Sequence, residues 1–239
     1  MEIQKSNNTL NDNFVSDNNI SDNNIDYHNE LLRKMIHLSS LAIPVGYYFL
    51  DEYTAFWILL PLAILAICID LSMKVYKPLK KVIVYIFGPI MRPHELKDEL
   101  VLNGATWVLI SSSLCILLMP KISFICGFVI LIISDSAAAL IGRKFGKHPW
   151  FKNKSIEGSA AFFISAVISS GIIGLFISAS WQYYVALAIA SLFASFIEAI
   201  SGALKIDDNI SIPFSVALVI FLIDTLLSNV WAYQISSLM

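Results

Sequence analysis

The chain has 239 residues, a formal net charge of −2, 57% hydrophobic residues and only 14% charged ones. A soluble domain carries roughly 45–50% apolar and about 25% charged residues, so much of this excess must face lipid. One domain of ordinary size fits the length, and the near-neutral charge excludes a generally basic nucleic-acid binder. Cys68, Cys115 and Cys126 lie in apolar runs without CxxC spacing, which reads as small core residues rather than a zinc site or a disulfide framework.

Residues 1–29 are acidic and rich in asparagine, with no basic stretch leading into an apolar one as in a cleavable signal. They carry too little apolar surface to offset the entropy of ordering, so a disordered cytoplasmic tail is expected. The membrane domain then covers 30–239. A span needs about 20 mostly apolar residues. Seven runs are candidates: 36–50, 53–73, 103–119, 122–142, 158–179, 181–201 and 212–233. The first is short and the last is interrupted by Asp224. Val82 to Met91 is apolar but too short to cross, and basic residues flank it, which suits an interfacial segment.

Lys and Arg placement sets orientation. With the N-terminus inside, fifteen of the sixteen basic residues fall on the cytoplasmic side and only Lys121 falls outside. The expected fold is therefore all-α, a polytopic transmembrane helix bundle of about seven spans with a cytoplasmic N-terminus.

Four polar constellations gather on that side. The fullest runs from Ser134-Asp135 through Gly142-Arg143-Lys144 and Gly146-Lys147 to Lys154-Ser155-Ile156-Glu157-Gly158-Ser159. An unpaired charge at the middle of a span costs about 2.5–3.5 kcal/mol on insertion scales, so Asp135 implies a partner or a polar cavity. Asp135, Ala139, Gly142 and Gly146 share one helical face, where small residues admit another backbone or a phosphate chain. Five basic residues follow, and Ser155, Gly158 and Ser159 place N–H groups at a helix start, a natural anion site. Acid, basic loop and helix start together suit a metal–polyphosphate; a bare topology signal would explain the basic loop but not Asp135 or the Lys-Ser-x-Glu-Gly-Ser turn.

The second constellation is a stripe of Ser191, Ser195, Glu198 and Gly202, ending in a buried carboxylate. The third, Asp207-Asp208-Asn209, offers the oxygen ligands that Mg²⁺ prefers, and taken alone also reads as a solvated turn. The fourth is Arg92-Pro93-His94-Glu95, where Arg92 and Glu95 form at most a surface ion pair worth under about 1 kcal/mol. Arg33-Lys34-x-x-His37 opens the first run, as an interfacial anchor or a headgroup contact. No GxxxxGK[ST], GxGxxG, GxSxG or HExxH pattern occurs.

The chain resembles the dolichol kinase, phytol kinase and CTP-dependent diacylglycerol kinase family, including its polyprenol-kinase-like bacterial members. The resemblance rests on Glu30-Leu31-x-Arg33-Lys34-x-x-His37, Arg92-x-x-Glu95 with Gly104-Ala105-Thr106, Ser134-Asp135-x-x-Ala138-x-x-x-Gly142-Arg143-x-x-Gly146, Lys154-Ser155-x-Glu157-Gly158-Ser159, and Glu198-Ala199 followed by Asp208-Asn209-x-x-x-Pro213. It implies transfer of the γ-phosphoryl group of a nucleoside triphosphate, typically CTP, to the hydroxyl of a membrane lipid alcohol such as a polyprenol, phytol or diacylglycerol. By the same resemblance Asp135, Glu198 and Asp208 are catalytic, and Asp135, Asp208 and Asn209 hold Mg²⁺. Arg92, Glu95, Arg143, Lys144, Lys154, Ser155, Glu157, Gly158 and Ser159 serve the nucleotide phosphates. The setting would be a bacterial inner membrane, or the endoplasmic reticulum or an organelle membrane. Phosphatidate cytidylyltransferases look similar around the Asp, the Gly-Arg-x-x-Gly and the Lys-Ser-x-Glu-Gly run. They also carry a late His-Gly-Gly-x-x-Asp-Arg segment, and no histidine follows His148 here. A transporter or scaffold whose basic loop binds anionic lipid is the reading outside enzymes.

Overall fold

Apolar runs of span length become helices because lipid offers no hydrogen-bond partner, so each backbone N–H and C=O is satisfied inside its own segment. The computed structural model of the chain describes residues 27–88, 91, 102–151, 154–204, 206–231, 235 and 238. Its elements, in chain order, are α1 (Tyr27–Ser39), α2 (Ala42–Phe49), α3 (Glu52–Val75), α4 (Lys77–Phe87), α5 (Gly104–Leu118), α6 (Lys121–Phe145), β1 (Pro149–Phe151), β2 (Lys154–Ser155), α7 (Ile156–Phe176), α8 (Trp181–Leu204) and α9 (Asp208–Trp231). Helix α1 starts at Tyr27, just before the boundary at Glu30 read from composition.

Among the described residues, five helices are long and apolar enough to cross a membrane: Glu52–Val75, Lys121–Phe145, Ile156–Phe176, Trp181–Ala203 and Asp208–Leu227. Gly104–Leu118 is apolar but shorter. The protein is an all-α membrane helix bundle. Several helix starts are fixed by side-chain caps, in which an Asp, Asn or Ser oxygen accepts an otherwise unpaired N–H of the first turn. Asp51 accepts from Thr54, Asn103 from Thr106 and Ser155 from Gly158.

The stretch 36–50, read from sequence as one run, is two helices that part at Ser40 and Leu41. Pro44 stands in the first turn of α2, where its missing N–H leaves no bond unmade. Lys34 of α1 reaches Asp135 far along α6. Tyr47 of α2 meets Phe124 edge-on at 4.8 Å near the start of α6. Helices α1 and α2 thus run in succession alongside α6, from one end of the bundle toward the other. Helix α4, in the segment expected at the membrane surface, has no buried residue.

Helix α6 is the axis of the bundle. It packs against α7, α9, α1, α2 and α5, and 61% of its apolar window is buried, against 22% in α3. Phe124, Phe128, Ile130, Leu131 and Ile132 are fully buried, and α7 adds Phe162 while α9 adds Ile212, Val216 and Ile220 to the same core. Glycines set the closest approaches. A Cβ on Gly127 would stand 3.1 Å from Pro213 Cα, and one on Gly158 would stand 3.1 Å from the Ala138 carbonyl and 3.3 Å from Gly142 Cα. The small-residue face of α6 therefore receives the backbone of α7. The outer faces keep exposed apolar side chains such as Ile164, Ile168, Leu175, Leu192, Leu218 and Phe221, as a lipid-facing surface requires.

Between α6 and α7 lies a feature the sequence did not announce: β1 and β2 pair antiparallel, with Phe151 opposite Lys154 and Pro149 opposite Ser155. Strands of three and two residues are too short to show alternation, so this stretch read as a basic loop and turn.

Candidate functional site

The C-terminal half of α6, the hairpin, the ends of α3 and α8 and the starts of α1, α5, α7 and α9 meet at one end of the bundle. Asp135 projects from α6 and is ion-paired with Lys34 of α1, while His37 Nε2, one turn further along α1, lies 3.8 Å from the same carboxylate oxygen. This is the partner that a charge inside a span requires. Glu30, fully buried, is ion-paired with Arg33 on its own helix and stands 3.3 Å from Arg143 at the end of α6. Glu30, Lys34 and His37 follow i, i+4, i+7 spacing, so one face of α1 presents an acid, a lysine and a histidine to the site.

Lys154, held in β2, is the second centre. It is ion-paired with Glu198 of α8 and lies 3.9 Å from Asp208 at the start of α9. Burial works against its charge, but Asp208, Glu198 and Asp135 outweigh burial and raise its pKa above the ordinary 10.5. The lysine is thus held as a cation among three carboxylates from three helices. Glu198 Oε2 and Asp208 Oδ1 are buried without a hydrogen-bond partner, an arrangement that native proteins rarely leave unsatisfied. Carboxylate oxygens only accept, so a cation or water completes them.

The expected metal ligands can be tested against this geometry. Among the described residues no three of His, Cys, Asp and Glu gather as a metal-holding set. Mg²⁺ does not need one, since it is commonly held by one or two carboxylates plus phosphate oxygens and waters. The two unpartnered oxygens of Glu198 and Asp208 fit that demand. Asn209, next to Asp208 in sequence, is buried, but its side-chain amide donates to Asp207 Oδ1 at 2.6 Å and to the Gly104 carbonyl at 3.5 Å, tying α9 to α5.

Other sequence-predicted residues are used in different ways. Ser155 accepts from the Gly158 N–H at 3.1 Å, so that donor, read as one for a phosphate, is engaged by the helix cap. Gly158 itself makes room for α6. The Ser159 carbonyl receives the Ser195 hydroxyl at 2.9 Å, while its own hydroxyl is unpartnered. Glu157 is turned to His148, whose Nδ1 lies 2.6 Å from Oε1. Lys144 is exposed and sits over the Phe145 ring, 5.3 Å from its centroid. Arg92 and Glu95 lie outside the described residues.

Two structural roles went unread in the sequence. One is Glu30 as a buried bridge, for which the i, i+4, i+7 pattern of α1 was the available signal. The other is Asp70, buried at the end of α3, which accepts from the Asn103 backbone N–H (2.8 Å) and side-chain amide (2.6 Å). Asn103 in turn caps α5, so the pair clamps α3 and α5 beside the site.

The chain is 31% identical over 193 residues to an uncharacterised protein of Rickettsia prowazekii, covering 81% of this chain and 94% of that one. It is 35% identical over 141 residues to a probable chloroplastic phytol kinase of Triticum aestivum, covering 54% of this chain. It is 29% identical over 148 residues to a CTP-dependent diacylglycerol kinase of Schizosaccharomyces pombe, covering 58% of this chain. The matched stretch spans 47% of the wheat protein and 66% of the fission-yeast protein. No protein-family model matches the chain, and no solved structure does. With one relative matched almost end to end and named phytol and diacylglycerol kinases matched over more than half of the chain, the chain belongs to the polyprenol, phytol and diacylglycerol kinase-like family of integral membrane proteins.

Proposed function

We propose that the protein is a membrane lipid kinase that transfers the γ-phosphoryl group of CTP to the hydroxyl of a lipid alcohol, with its site on the cytoplasmic face. The observation that carries this reading is Lys154 seated between Glu198 and Asp208, two acids that each keep a buried oxygen without a partner. Phosphoryl transfer asks the protein for positioning and charge neutralisation more than for covalent chemistry, and this site offers both. The names of the wheat and fission-yeast relatives support the reaction class.

Lys154 and Arg143 would bind the nucleotide's phosphates, as cations on a hairpin and a helix end that water can reach. Asp208 and Glu198 would hold Mg²⁺, with Asp135 and Asn209 close by; when bound, the ion neutralises the charge of the transferring group. Asp135, kept in place by Lys34 and His37, would orient the acceptor hydroxyl or receive its proton. The acceptor would arrive laterally, since the helices that carry the site have exposed apolar outer faces. Its hydroxyl would then meet the triphosphate at the junction of lipid and water.

The decisive experiment presents membranes containing the protein with α-labelled and γ-labelled CTP and a panel of polyprenol, phytol and diacylglycerol. Lipid labelled from the γ position alone is the expected result. Label entering from the α position would mean nucleotidyl transfer, as in the cytidylyltransferases, and would overturn the reading.

A further inference from the structure

Asp70 lies in the last turns of α3 and is 3% exposed. Burying a carboxylate is costly unless it is paired or hydrogen-bonded, and packing alone would be served by a neutral side chain. Both of its oxygens hold one residue. Oδ2 accepts from the Asn103 backbone N–H at 2.8 Å, and Oδ1 accepts from the Asn103 side-chain amide at 2.6 Å. The side-chain oxygen of Asn103 is committed to the cap of α5, where it accepts from the Thr106 N–H at 2.9 Å and hydroxyl at 3.2 Å. The next residue carries the contact to α9: the Gly104 carbonyl accepts from the Asn209 amide at 3.5 Å, and a Cβ on Gly104 would stand 3.9 Å from that nitrogen. Asn209 also donates to Asp207 Oδ1, from its backbone N–H at 3.0 Å and from its amide at 2.6 Å. The Asp207 carbonyl in turn accepts the Ile210 and Ser211 N–H groups, both at 3.1 Å. Asp208 stands in the chain between the two residues so tied.

We propose that Asp70 is a positioning residue for Asp208, acting through a run of hydrogen bonds that joins the end of α3 to the starts of α5 and α9. This role rests on the kinase reading above, in which Asp208 holds Mg²⁺, and deepens it. Mg²⁺ demands near-ideal octahedral geometry, so an acid that binds it must be held to within about 0.5 Å. Lys154 by itself does not supply that precision, since its ammonium approaches Asp208 no closer than 3.9 Å. The backbone of the first turn of α9 supplies it, and Asp70 is the charged end of the run that fixes this turn. A carboxylate suits that end because hydrogen bonds to an ionised acceptor are about twice as strong as neutral ones.

The test measures equilibrium binding of Mn²⁺ in the presence of CTP, and steady-state kinetics with Mg²⁺, on the purified full chain in lipid nanodiscs. It compares wild type, Asp70→Asn, Asn209→Ala, the double variant Asp70→Asn/Asn209→Ala and the exchange Asp70→Asn/Asn103→Asp. In Asp70→Asn the introduced amide faces the Asn103 amide, donor against donor. Mn²⁺ binding is expected to weaken, and the Mg²⁺ requirement to rise, by about tenfold, the scale of one charge-assisted hydrogen bond. The KM for the lipid acceptor stays within about twofold on the same scale. The exchange rebuilds the contact with donor and acceptor reversed, while the new carboxylate still caps α5, and it returns Mn²⁺ binding to within about threefold of wild type. The double variant binds Mn²⁺ no worse than Asn209→Ala, because Asp70 acts through that amide. Unchanged Mn²⁺ binding in Asp70→Asn overturns the inference. So do parallel losses in lipid KM and kcat, which mark a purely structural role, and so do additive losses in the double variant. Should Asp70→Asn not fold, the exchange decides, and a tenfold loss of Mn²⁺ binding in it overturns the inference. Wild type that binds Mn²⁺ with CTP but transfers no phosphoryl group overturns the kinase reading and leaves the positioning role to the binding series. Wild type that binds no Mn²⁺ with CTP overturns both.

Discussion

Lys34 is ion-paired with Asp135 although 101 residues separate them in the chain. Their side chains are 5% and 14% exposed, so each would be a nearly buried, uncompensated charge without the other. Breaking such a pair by removing one member typically costs about 3–5 kcal/mol, whereas replacing both by apolar or neutral groups is often close to neutral. Lys34→Met is expected to destabilise by about 3 kcal/mol, the low end because His37 remains beside Asp135. The double variant Lys34→Met/Asp135→Asn should regain most of this. Reversible denaturation in micelles reads both, and a Lys34→Met protein as stable as wild type would show that the pair contributes nothing.

Asp135→Asn tests the chemistry at some cost in stability. The amide keeps the shape and leaves Lys34 unpaired, yet α6 retains its apolar length, so the variant should insert and accumulate in membranes. Turnover of lipid alcohol and CTP should fall below about one-thousandth of wild type, the scale of losing an electrostatic contact made in the transition state. Activity retained within about tenfold would remove Asp135 from the mechanism.

Gly158 and Gly171 lie on the same helix and make opposite predictions. A methyl at Gly158 meets the Ala138 carbonyl at 3.1 Å, while one at Gly171 meets nothing within 4 Å. Gly158→Ala should therefore cost about 1–3 kcal/mol by forcing α7 away from α6 and should lower activity, because Lys154 precedes α7 directly. Gly171→Ala should melt like wild type or slightly higher, since Ala is the better helix former. Equal melting temperatures for the two variants would contradict the close contact.

The charge on Lys154 has a pH signature of known sign. Its pKa in the folded state is raised above the ordinary 10.5. The stability that it contributes is therefore fully present below about pH 10.5 and is lost as pH rises through the folded value. Melting temperature measured from pH 8 to 11.5 should show an alkaline decline that Lys154→Met lacks. The activity profile between pH 6 and 9 should owe nothing to this group.

The parts legible in the sequence were those that lipid or solvation dictates locally. Five long helices could be read because a bilayer demands apolar runs of fixed length, and α6 was legible as an acid-bearing span for the same reason. The break at Ser40 and Leu41 was not, because apolar composition continues across it and Pro44 alone marks the second helix. Asp135 and Glu198 stood out as carboxylates that lipid should exclude, and Asp208 as a metal-type oxygen ligand in a turn. Their partners did not, because Lys34 and Lys154 are ordinary basic residues at helix boundaries until the fold brings them to those acids. Glu157 read as part of a phosphate turn because its partner His148 sits across a hairpin too short to leave a pattern.

Lys121 stands at the opposite end of α6 from the ionic site, and its ammonium donates to the Tyr48 and Leu50 carbonyls at 3.1 and 3.0 Å. Those carbonyls close the C-terminal turn of α2, where four acceptors lack helical partners. The residue that runs against the charge asymmetry of the chain thus acts as a clasp between two segments that the membrane alone would leave free to slide. Its long stem also lets the ammonium stay near the headgroups while the contact forms. A shorter or neutral side chain there would loosen α2 from α6 without disturbing any group of the ionic site, so the two ends of the bundle are separately fastened.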